Sequence, residues 1–389
     1  KDVASEVAQS FAERQVHPHH VPANTQEDEV FERLSRLEFQ TMARGAGGIL
    51  FRTTLLKAYL SSPAACRETI RHRLRRLEKM TGPEAEHDRE QLTSLDALIA
   101  QVTPDRFGKL ARLFALIEGW PGERVVIFSE RIETLRFLDQ QLRDHFGLDQ
   151  HQMGVFYGTL DDQRQQAMVK DFGTANGKVR LLLGSDAASE GINLHYYCHR
   201  LVHFDIPWSL ITLEQRNGRI DRFGQTETPD IHYLLTVPRD VELRGDLRVL
   251  DRLIEKENAA HKNLGDVAWL MRLHEAELEE QRVAQGIENH EPAESVVPDE
   301  PEEFDFLALL SGEGDKEEIE TVDPVSLYAD DLAYCREAFE ELDCQPEWHE
   351  HLSGFSFHAP EDLRVRYDYL PPELRQADWE LKLTTDREL

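Results

Sequence analysis

Short apolar segments alternate with amphipathic ones in the middle of the chain. Between residues 122 and 240, five apolar runs (RVVIFS, QMGVFY, VRLLLGS, RLVHFDI and DIHYLLTV) are separated by stretches with apolar positions at helical spacing. Uniformly apolar runs of this length are typical of strands buried on both faces, and their alternation with helices predicts a doubly wound parallel sheet. We therefore predict an α/β domain over residues 116–240, with functional groups on loops at the carboxyl ends of the strands.

The flanking regions have other patterns. Residues 1–115 are mostly amphipathic at helical spacing and predict a helical region that precedes the sheet. Residues 241–286 predict a charged helical extension. Residues 287–326 are rich in Pro, Glu and Asp and predict an acidic, flexible segment, because such a composition buries too little apolar surface to fold. Residues 327–389 regain aromatic residues and predict a small C-terminal satellite.

Charge changes this picture only locally. The chain has a net charge of −30, which argues at first against nucleic acid. Residues 287–344, however, hold 20 Asp or Glu against two basic residues, whereas residues 105–240 have a net charge of only −3. Most of the net negative charge thus lies in one segment, and the total does not exclude a phosphate-binding face elsewhere. The most basic stretch includes Arg71, Arg75 and Arg76, which predict either a solvated helix face or a contact with the DNA backbone.

Several classes of protein and site are not favoured. The chain has no apolar run of 18 residues and no signal pattern, and its four cysteines show no CxxC spacing, so we expect a cytoplasmic protein without a membrane partner. Cys335, Cys344, His349 and His351 do not have a standard zinc-finger spacing. The HPHH sequence at 17–20 is interpreted as an exposed linker. No residue is therefore predicted as a metal ligand.

The sequence LEQRNGRIDRFGQ, at 213–225, is the most distinctive motif. On a helix, Arg219 and Arg222 would lie on one side and could reach a common target. The opposite side is predicted to be buried through Leu213, Ile220 and Phe223. Gly224 suits a helix C-cap. A pair of guanidinium groups matches phosphate geometry, whereas the alternative is a surface helix with arginines in salt bridges.

Small and polar residues follow three of the predicted strands. Ser129 and Thr159 are hydroxyl residues suited to phosphate oxygens, and the segment 184–195 (GSDAASEGINLH) contributes Asp186 and Asn193. Each loop alone is compatible with ordinary turn chemistry. Because the carboxyl ends of parallel strands meet at one edge, the three loops and the arginine motif together predict a single site.

Four of these segments carry a family resemblance. VVIFSE, YGTLDDQRQQAMVKDF, LLLGSDAASEGINLH and LEQRNGRIDRFGQ resemble successive motifs of the second RecA-like lobe of superfamily 2 helicases. More narrowly, they resemble the Swi/Snf ATPases and, within them, the bacterial RapA-like group. The resemblance covers roughly residues 1–270 and implies a RecA-like fold for the lobe.

The resemblance also implies two groups of site residues. The catalytic and nucleotide-facing group comprises Gln215, Arg219, Arg222, Asp186, Gly191 and Asn193. The group that holds the backbone of one DNA strand comprises Ser129, Gly158, Thr159 and Ser185. Arg222 would be the arginine finger, which neutralises the charge that develops on the transferred phosphoryl group.

A motor of this family also needs a Walker A loop and an Asp-Glu pair, and neither is in this sequence. GTANGKV, at 173–179, lacks the Ser or Thr and precedes a predicted strand instead of following one. We therefore expect the C-terminal half of an ATP-dependent double-stranded DNA translocase, inactive without an N-terminal RecA-like lobe carrying Walker A and B. The expected cofactor is ATP with Mg²⁺, and that lobe, on another chain or removed, would hold most of the contacts to Mg²⁺.

Two alternatives stay open. One is a strand-separating DNA or RNA helicase of the same superfamily, and the other is a non-catalytic docking lobe. Retention of Gln215, Arg219 and Arg222 argues against the docking lobe. RNA polymerase and antiphage-defence proteins are both compatible with the sequence as further partners.

Overall fold

The structure, a computed structural model, describes residues 14–42, 47–157, 162–186, 194–222, 224–262, 271, 273, 275–298, 339, 346–349, 354–358 and 380–384. The chain divides into two compact units, residues 1–302 and residues 303–389. Among the described residues, none of the helices combines the length and the apolar character needed to cross a membrane.

The first unit contains one sheet and its flanking helices. Its strands are β1 (Gln15–Pro22), β2 (Val125–Phe128), β3 (Met153–Phe156), β4 (Leu181–Gly184), β5 (Arg200–His203) and β6 (Asp230–Val237). The helices that come before β3 in the chain are α1 (Thr25–Ser35), α2 (Gly47–Ser61), α3 (Pro63–Leu77), α4 (Pro83–Ile99), α5 (Gly108–Glu118) and α6 (Ile132–Phe146). The later helices are α7 (Asp162–Phe172), α8 (Leu210–Asn217), α9 (Val241–Asp246), α10 (Arg248–Lys262), α11 (Ala276–Glu288) and α12 (Ala293–Val296). A short 3₁₀ turn spans Pro104–Arg106.

The six strands lie in the order β1-β6-β5-β2-β4-β3, and every neighbouring pair is parallel. All four residues of β2 and of β4 are buried, as expected for central strands covered by helices on both faces. The predicted α/β class with a doubly wound parallel sheet is confirmed.

Strand β1 corrects the prediction for the HPHH sequence. These residues are not a linker: they pair in parallel with β6 over the whole strand, from Gln15 opposite Asp230 to Pro22 opposite Val237. The sheet therefore has six strands instead of the five predicted. The residues of β1 alternate between exposed and half-buried positions because β1 is an edge strand. Proline is tolerated there, since a missing N–H need not face a neighbouring strand.

Capping residues fix where the N-terminal helices begin. Asn24 and Glu27 form a reciprocal capping box at the start of α1. Helix α3 begins with Pro63 directly after Ser62, whose side chain accepts a hydrogen bond from the Ala65 N–H. These local signals explain why the region before the sheet is helical.

Two of the predicted domain boundaries fall inside helices. The boundary between residues 115 and 116 lies within α5, and the boundary between 286 and 287 lies within α11. Residues 287–298, which were expected to begin a flexible segment, contain α12 and the buried residues Val296 and Val297. Residues 299–338 lie outside the described residues, so the rest of the acidic segment stays a prediction.

In the second unit, the described strands are β7 (Glu347–His349), β8 (Gly354–His358) and β9 (Glu380–Thr384), which form an antiparallel sheet in that order. His349 contacts the Ser356 hydroxyl at 2.7 Å across β7 and β8. Cys335, Cys344 and His351 lie outside the described residues.

Candidate nucleotide and DNA interface

The arginine motif does not form one helix. Helix α8 ends at Asn217, and Gly218 is its C-cap, so Arg219 and Arg222 lie in the turn that follows. The turn is closed by main-chain hydrogen bonds from Arg219 N–H to Arg216 O at 3.1 Å and from Asp221 N–H to Asn217 O at 2.9 Å. The prediction of a helix through Phe223 with Gly224 as its C-cap was wrong. Glycine is a poor helix former, and Gly218 already ends the helix.

Helix α8 is anchored at its start by a side chain from α11. Ser209 is the N-cap, and its hydroxyl accepts from Thr212 N–H at 3.1 Å while donating to Glu279 Oε2 at 2.6 Å. The same carboxylate oxygen accepts from Ile211 N–H at 3.1 Å. Leu213 and Ile220 have no exposed surface, so the predicted burial of these two residues is confirmed. Phe223 lies outside the described residues.

Arg216 occupies the centre of the site. Only 1% of its surface is exposed. Its Nε and Nη2 donate to the two carboxylate oxygens of Asp186 at 2.5 and 2.8 Å, and its Nη1 donates to Asp205 O at 3.0 Å. Burial alone would lower the pKa of Arg216, but the Asp186, Asp205 and Glu130 carboxylates together outweigh burial and raise it. Because Asp186 follows β4 and Asp205 follows β5, this guanidinium fastens α8 to the carboxyl ends of two strands.

Asp205 is the second carboxylate that faces Arg216. It is 4% exposed, and one of its oxygens accepts from the hydroxyls of Ser129 and Ser61, each at 2.5 Å. Its other carboxylate oxygen accepts from Glu130 N–H at 3.1 Å and lies 3.5 Å from Arg216 Nη1. Burial would raise the pKa of Asp205, but Arg216 and the two hydroxyls together lower it, so this carboxylate is ionised.

The predicted DNA-contacting residues are only partly described. Ser129 has no exposed surface, and its hydroxyl is already donated to Asp205. Ser185 is 6% exposed, and its N–H donates to Phe156 O at 3.1 Å. Gly158 and Thr159 lie outside the described residues. Contact with DNA by these four residues stays a prediction.

The predicted nucleotide-facing residues are also only partly described by the structure. Gln215 and Arg222 have exposed side chains, and Arg219 is half-buried. The carbonyl of Arg219 accepts from Leu194 N–H at 3.1 Å, which ties the turn to the end of the segment that follows β4. Asp186 faces Arg216, as described above. Gly191 and Asn193 lie outside the described residues.

His195 lies beside this turn. Burial and then the nearby Arg222 guanidinium lower the pKa of His195, so the imidazole is neutral at physiological pH. The turn therefore carries an exposed cation next to an uncharged ring, with Arg216 as its buried support.

The basic helix α3 has a different environment. Arg71 and Arg75 donate to the Glu68 carboxylate at 2.6 and 3.1 Å, and their side chains are 55% and 59% exposed. Arg76 is also exposed. Pairing within one helix agrees with the solvated-face alternative, and contact of these arginines with DNA stays a prediction.

Two residues of the network were not foreseen. Asp205 carries a signal in retrospect, because it comes two residues after an apolar strand. Lys109 carries none: it is 1% exposed, and its Nζ donates to Leu60 O at 2.5 Å and to Phe204 O at 2.6 Å. Burial lowers the pKa of Lys109 to about 8. The ammonium thus joins α5, the end of α2 and the end of β5.

Comparison with known proteins shows what this lobe is similar to. The family described as the helicase conserved C-terminal domain matches residues 108–224. The chain is 33% identical over 111 residues to the RNA polymerase-associated protein RapA of Vibrio parahaemolyticus, which is 28% of this chain and 11% of RapA. It is 30% identical over 219 residues to the uncharacterized ATP-dependent helicase YqhH of Bacillus subtilis, which is 55% of this chain and 35% of YqhH. Residues 108–224 thus resemble a helicase C-terminal lobe.

Solved structures are similar to the lobe and its surroundings at low identity. The Sulfolobus solfataricus SWI2/SNF2 ATPase core domain is 17% identical, with a TM-score of 0.42, and the match covers 76% of this chain and 51% of that one. The C-terminal part of the Fun30 ATPase domain is 14% identical, with a TM-score of 0.42, and the match covers 72% of this chain and 98% of that one. The chain spans about a tenth of RapA and about a third of YqhH.

Proposed function

We propose that this chain is the C-terminal motor half of an ATP-dependent double-stranded DNA translocase and that it supplies the arginine finger. The observation that supports this most is the environment of Arg216. A buried guanidinium held by two strand-end aspartates fixes the turn that carries Arg219 and Arg222. A turn anchored in this way can present a cation to a partner surface without losing rotational freedom during the reaction.

In this proposal, ATP is bound between the helicase lobe and a Walker-type lobe. The Walker-type lobe would hold Mg²⁺ and the β- and γ-phosphates. Arg222, which is exposed, would contact the γ-phosphate and neutralise charge as the phosphoryl group is transferred. Arg219 and Gln215 would position the same group, and Asp186 would act through Arg216. Arg216 is therefore a positioning residue and Arg222 a catalytic one.

The described part of the predicted DNA site limits how DNA can be held. The N–H of Ser129 donates to Gly184 O at 3.1 Å and the N–H of Ser185 donates to Phe156 O at 3.1 Å, so both are used within the sheet. The Ser129 hydroxyl is buried and donated to Asp205, so we infer that phosphate contact by this pair would come from the Ser185 side chain. The rest would come from Gly158 and Thr159.

One partner and one alternative function follow from the relatives' names. RapA is RNA polymerase-associated, which supports RNA polymerase as a partner of the complete motor. YqhH is called an ATP-dependent helicase, which keeps strand separation on DNA or RNA as the second candidate function.

Complementation tests the half-motor proposal. The purified chain should show no ATP turnover, and addition of the Walker-type lobe should produce turnover that is stimulated by double-stranded DNA. ATP turnover by the chain alone that survives Arg222→Ala would contradict the proposal. With the active assembly, displacement of a triplex-forming strand without duplex separation would favour translocation. Duplex separation on DNA or RNA would favour the helicase.

A further inference from the structure

A second polar cluster lies near the amino ends of strands β1 and β6. His17 on β1 is opposite His232 on β6, and Asp230 is two residues before His232 on the same face. His17 Nε2 is 3.1 Å from Asp230 Oδ1, and His232 Nε2 is 2.9 Å from the same oxygen. One nitrogen or oxygen from each residue lies within 4.8 Å of the other two. Three atoms of the kind that bind metals thus converge on one point.

Hydrogen bonding among the described residues accounts for this convergence only in part, because His232 Nε2 lies 2.9 Å from Asp230 Oδ1 but its N–H is not aimed at that oxygen. Asp230 Oδ1 and His232 Nε2 are buried, and neither has a hydrogen-bond partner with acceptable geometry in the part of the chain that the structure describes. A ring N–H that donated to the carboxylate would point at its oxygen. Buried polar atoms are nearly always satisfied, and an ion is one recognised reason for an exception.

The spacing fits a small tetrahedral ion. Bonds of about 2.0–2.1 Å from zinc to nitrogen and oxygen place neighbouring tetrahedral ligands about 3.3 Å apart. The two separations from Asp230 Oδ1, 3.1 and 2.9 Å, approach this value. The separation between the two imidazole nitrogens extends to 4.8 Å, so an ion would draw the rings of His17 and His232 closer together. The His17 side chain is 42% exposed and that of His232 is 8% exposed, so an ion could enter beside His17 and keep water at its fourth position.

We propose that His17, Asp230 and His232 bind a divalent transition-metal ion of the zinc class. Two imidazoles and a carboxylate suit zinc better than magnesium or calcium, which prefer oxygen ligands. Asp230 is the first residue of β6, so the site lies at the amino ends of the strands, whereas Asp186 and Asp205 follow carboxyl ends. The ion would fasten the edge strand β1 to β6 and take no part in phosphoryl transfer.

Two neighbouring arginines, Arg200 and Arg112, affect the proposed site in different ways. Arg200 Nη1 donates to Asp230 Oδ2 at 2.7 Å, which holds the carboxylate and leaves Oδ1 for the ion. His19 Nε2 is 2.8 Å from His232 Nδ1, and Arg112 Nη2 donates to His19 Nδ1 at 2.8 Å.

These contacts couple metal binding to a tautomer. An ion on His232 Nε2 requires the proton on His232 Nδ1, which then donates to His19 Nε2. His19 must in turn carry its own proton on Nδ1, where it can no longer accept from Arg112. Arg112 therefore opposes the metal-bound tautomer, and its removal should strengthen metal binding.

The test is titration of the full chain with zinc by calorimetry, and with cobalt by visible absorption. We expect one equivalent of ion, a tetrahedral cobalt spectrum and a higher melting temperature with zinc. His17→Ala, at a half-exposed position that leaves the core intact, should weaken binding by about 100-fold, at least as much as loss of an outer-shell partner does. His20→Ala is the matched control, because His20 is on the same strand but pairs with Asp251 at 2.6 Å.

The outcomes separate the proposal from adventitious binding. If His17→Ala binds zinc as tightly as the native chain does, the proposed site is wrong. It is also wrong if His20→Ala loses as much zinc affinity as His17→Ala does. Arg112→Gln should bind zinc more tightly than the native chain does. Unchanged or weaker binding by Arg112→Gln would overturn coordination through His232 Nε2. None of these readouts depends on ATP turnover, so they stand apart from the proposed motor function.

Discussion

Two arginine-rich segments of this chain differ in where their charges are balanced. In the motif after β5, Arg216 is buried and is paired with Asp186 and Asp205, which follow two different strands. In α3, Arg71 and Arg75 are more than half exposed and share Glu68 of their own helix. The first pairing exists only when the sheet and α8 are assembled, whereas the second can form in an isolated helix.

The difference shows what a run of arginines can mean. Exposed pairs within a helix contribute little to stability, because water already screens them. A buried arginine whose aspartates come from two strand ends ties three elements together, and its loss leaves uncompensated charge. Arginine content is therefore a weak guide to function, and the location of the matching carboxylates is a better one.

The largest expected effect is on catalysis. In the two-lobe assembly, Arg222→Ala should lower DNA-stimulated ATP turnover by about 10³ to 10⁵-fold, because the charge on the transferred phosphoryl group loses its cation. Arg36→Ala is the control, since Arg36 is 71% exposed and pairs with Glu32 on α1. A loss of less than tenfold in Arg222→Ala would remove Arg222 from the catalytic role.

A smaller effect should distinguish the two arginine segments by stability. Arg216→Ala should lower the free energy of unfolding by about 3–5 kcal/mol, since Asp186 and Asp205 would lose their buried partner. Arg71→Ala should change it by less than about 1 kcal/mol. Urea denaturation of both variants measures the contrast. Similar destabilisation by the two substitutions would show that burial does not separate the segments.

Lys109 provides a pH-dependent prediction for the same network. Burial lowers the pKa of Lys109 from 10.5 to about 8, so between these values the folded chain gives up a proton that the unfolded chain keeps. Stability contributed through Lys109 should therefore rise with pH above 8. Relative to Lys109→Met, the native chain should gain about 2–3 kcal/mol between pH 8 and 10. Parallel stability curves for the two proteins would contradict the lowered pKa.

The smallest effect concerns DNA. Replacing Arg71, Arg75 and Arg76 together by Ala should reduce the slope of log affinity against log salt by up to about 2–3 if all three contact phosphates, because fewer counterions are released. Fluorescence anisotropy with duplex DNA at several salt concentrations measures the slope. An unchanged slope would assign α3 to the solvated-face alternative.

The sequence was informative where one segment determines its own structure. Five apolar runs became the five strands β2 to β6, because uniformly buried strands need no knowledge of their neighbours. Strand β1 was missed, since an edge strand with alternating exposure and two prolines becomes a strand only through its pairing with β6.

The site was harder to predict for the same reason. The motifs indicated Asp186 and the arginine segment, but not that Arg216 would be buried against Asp205 or that α8 would end at Asn217. Lys109 became visible only in three dimensions, because its partners are carbonyls of Leu60 and Phe204. The roles of Arg219 and Arg222 at the nucleotide stay predictions.

The most direct test of the account is transition-state discrimination by the two-lobe assembly. Affinities for ADP with aluminium fluoride, which imitates the transferred phosphoryl group, and for ADP alone would be measured with the native chain and Arg222→Ala. Because a finger binds charge that develops only in the transition state, Arg222→Ala should weaken binding of the aluminium fluoride complex by about 100-fold or more. Its affinity for ADP should change by less than about threefold. An equal loss for both ligands, or none for either, would contradict the claim that this turn supplies the arginine finger.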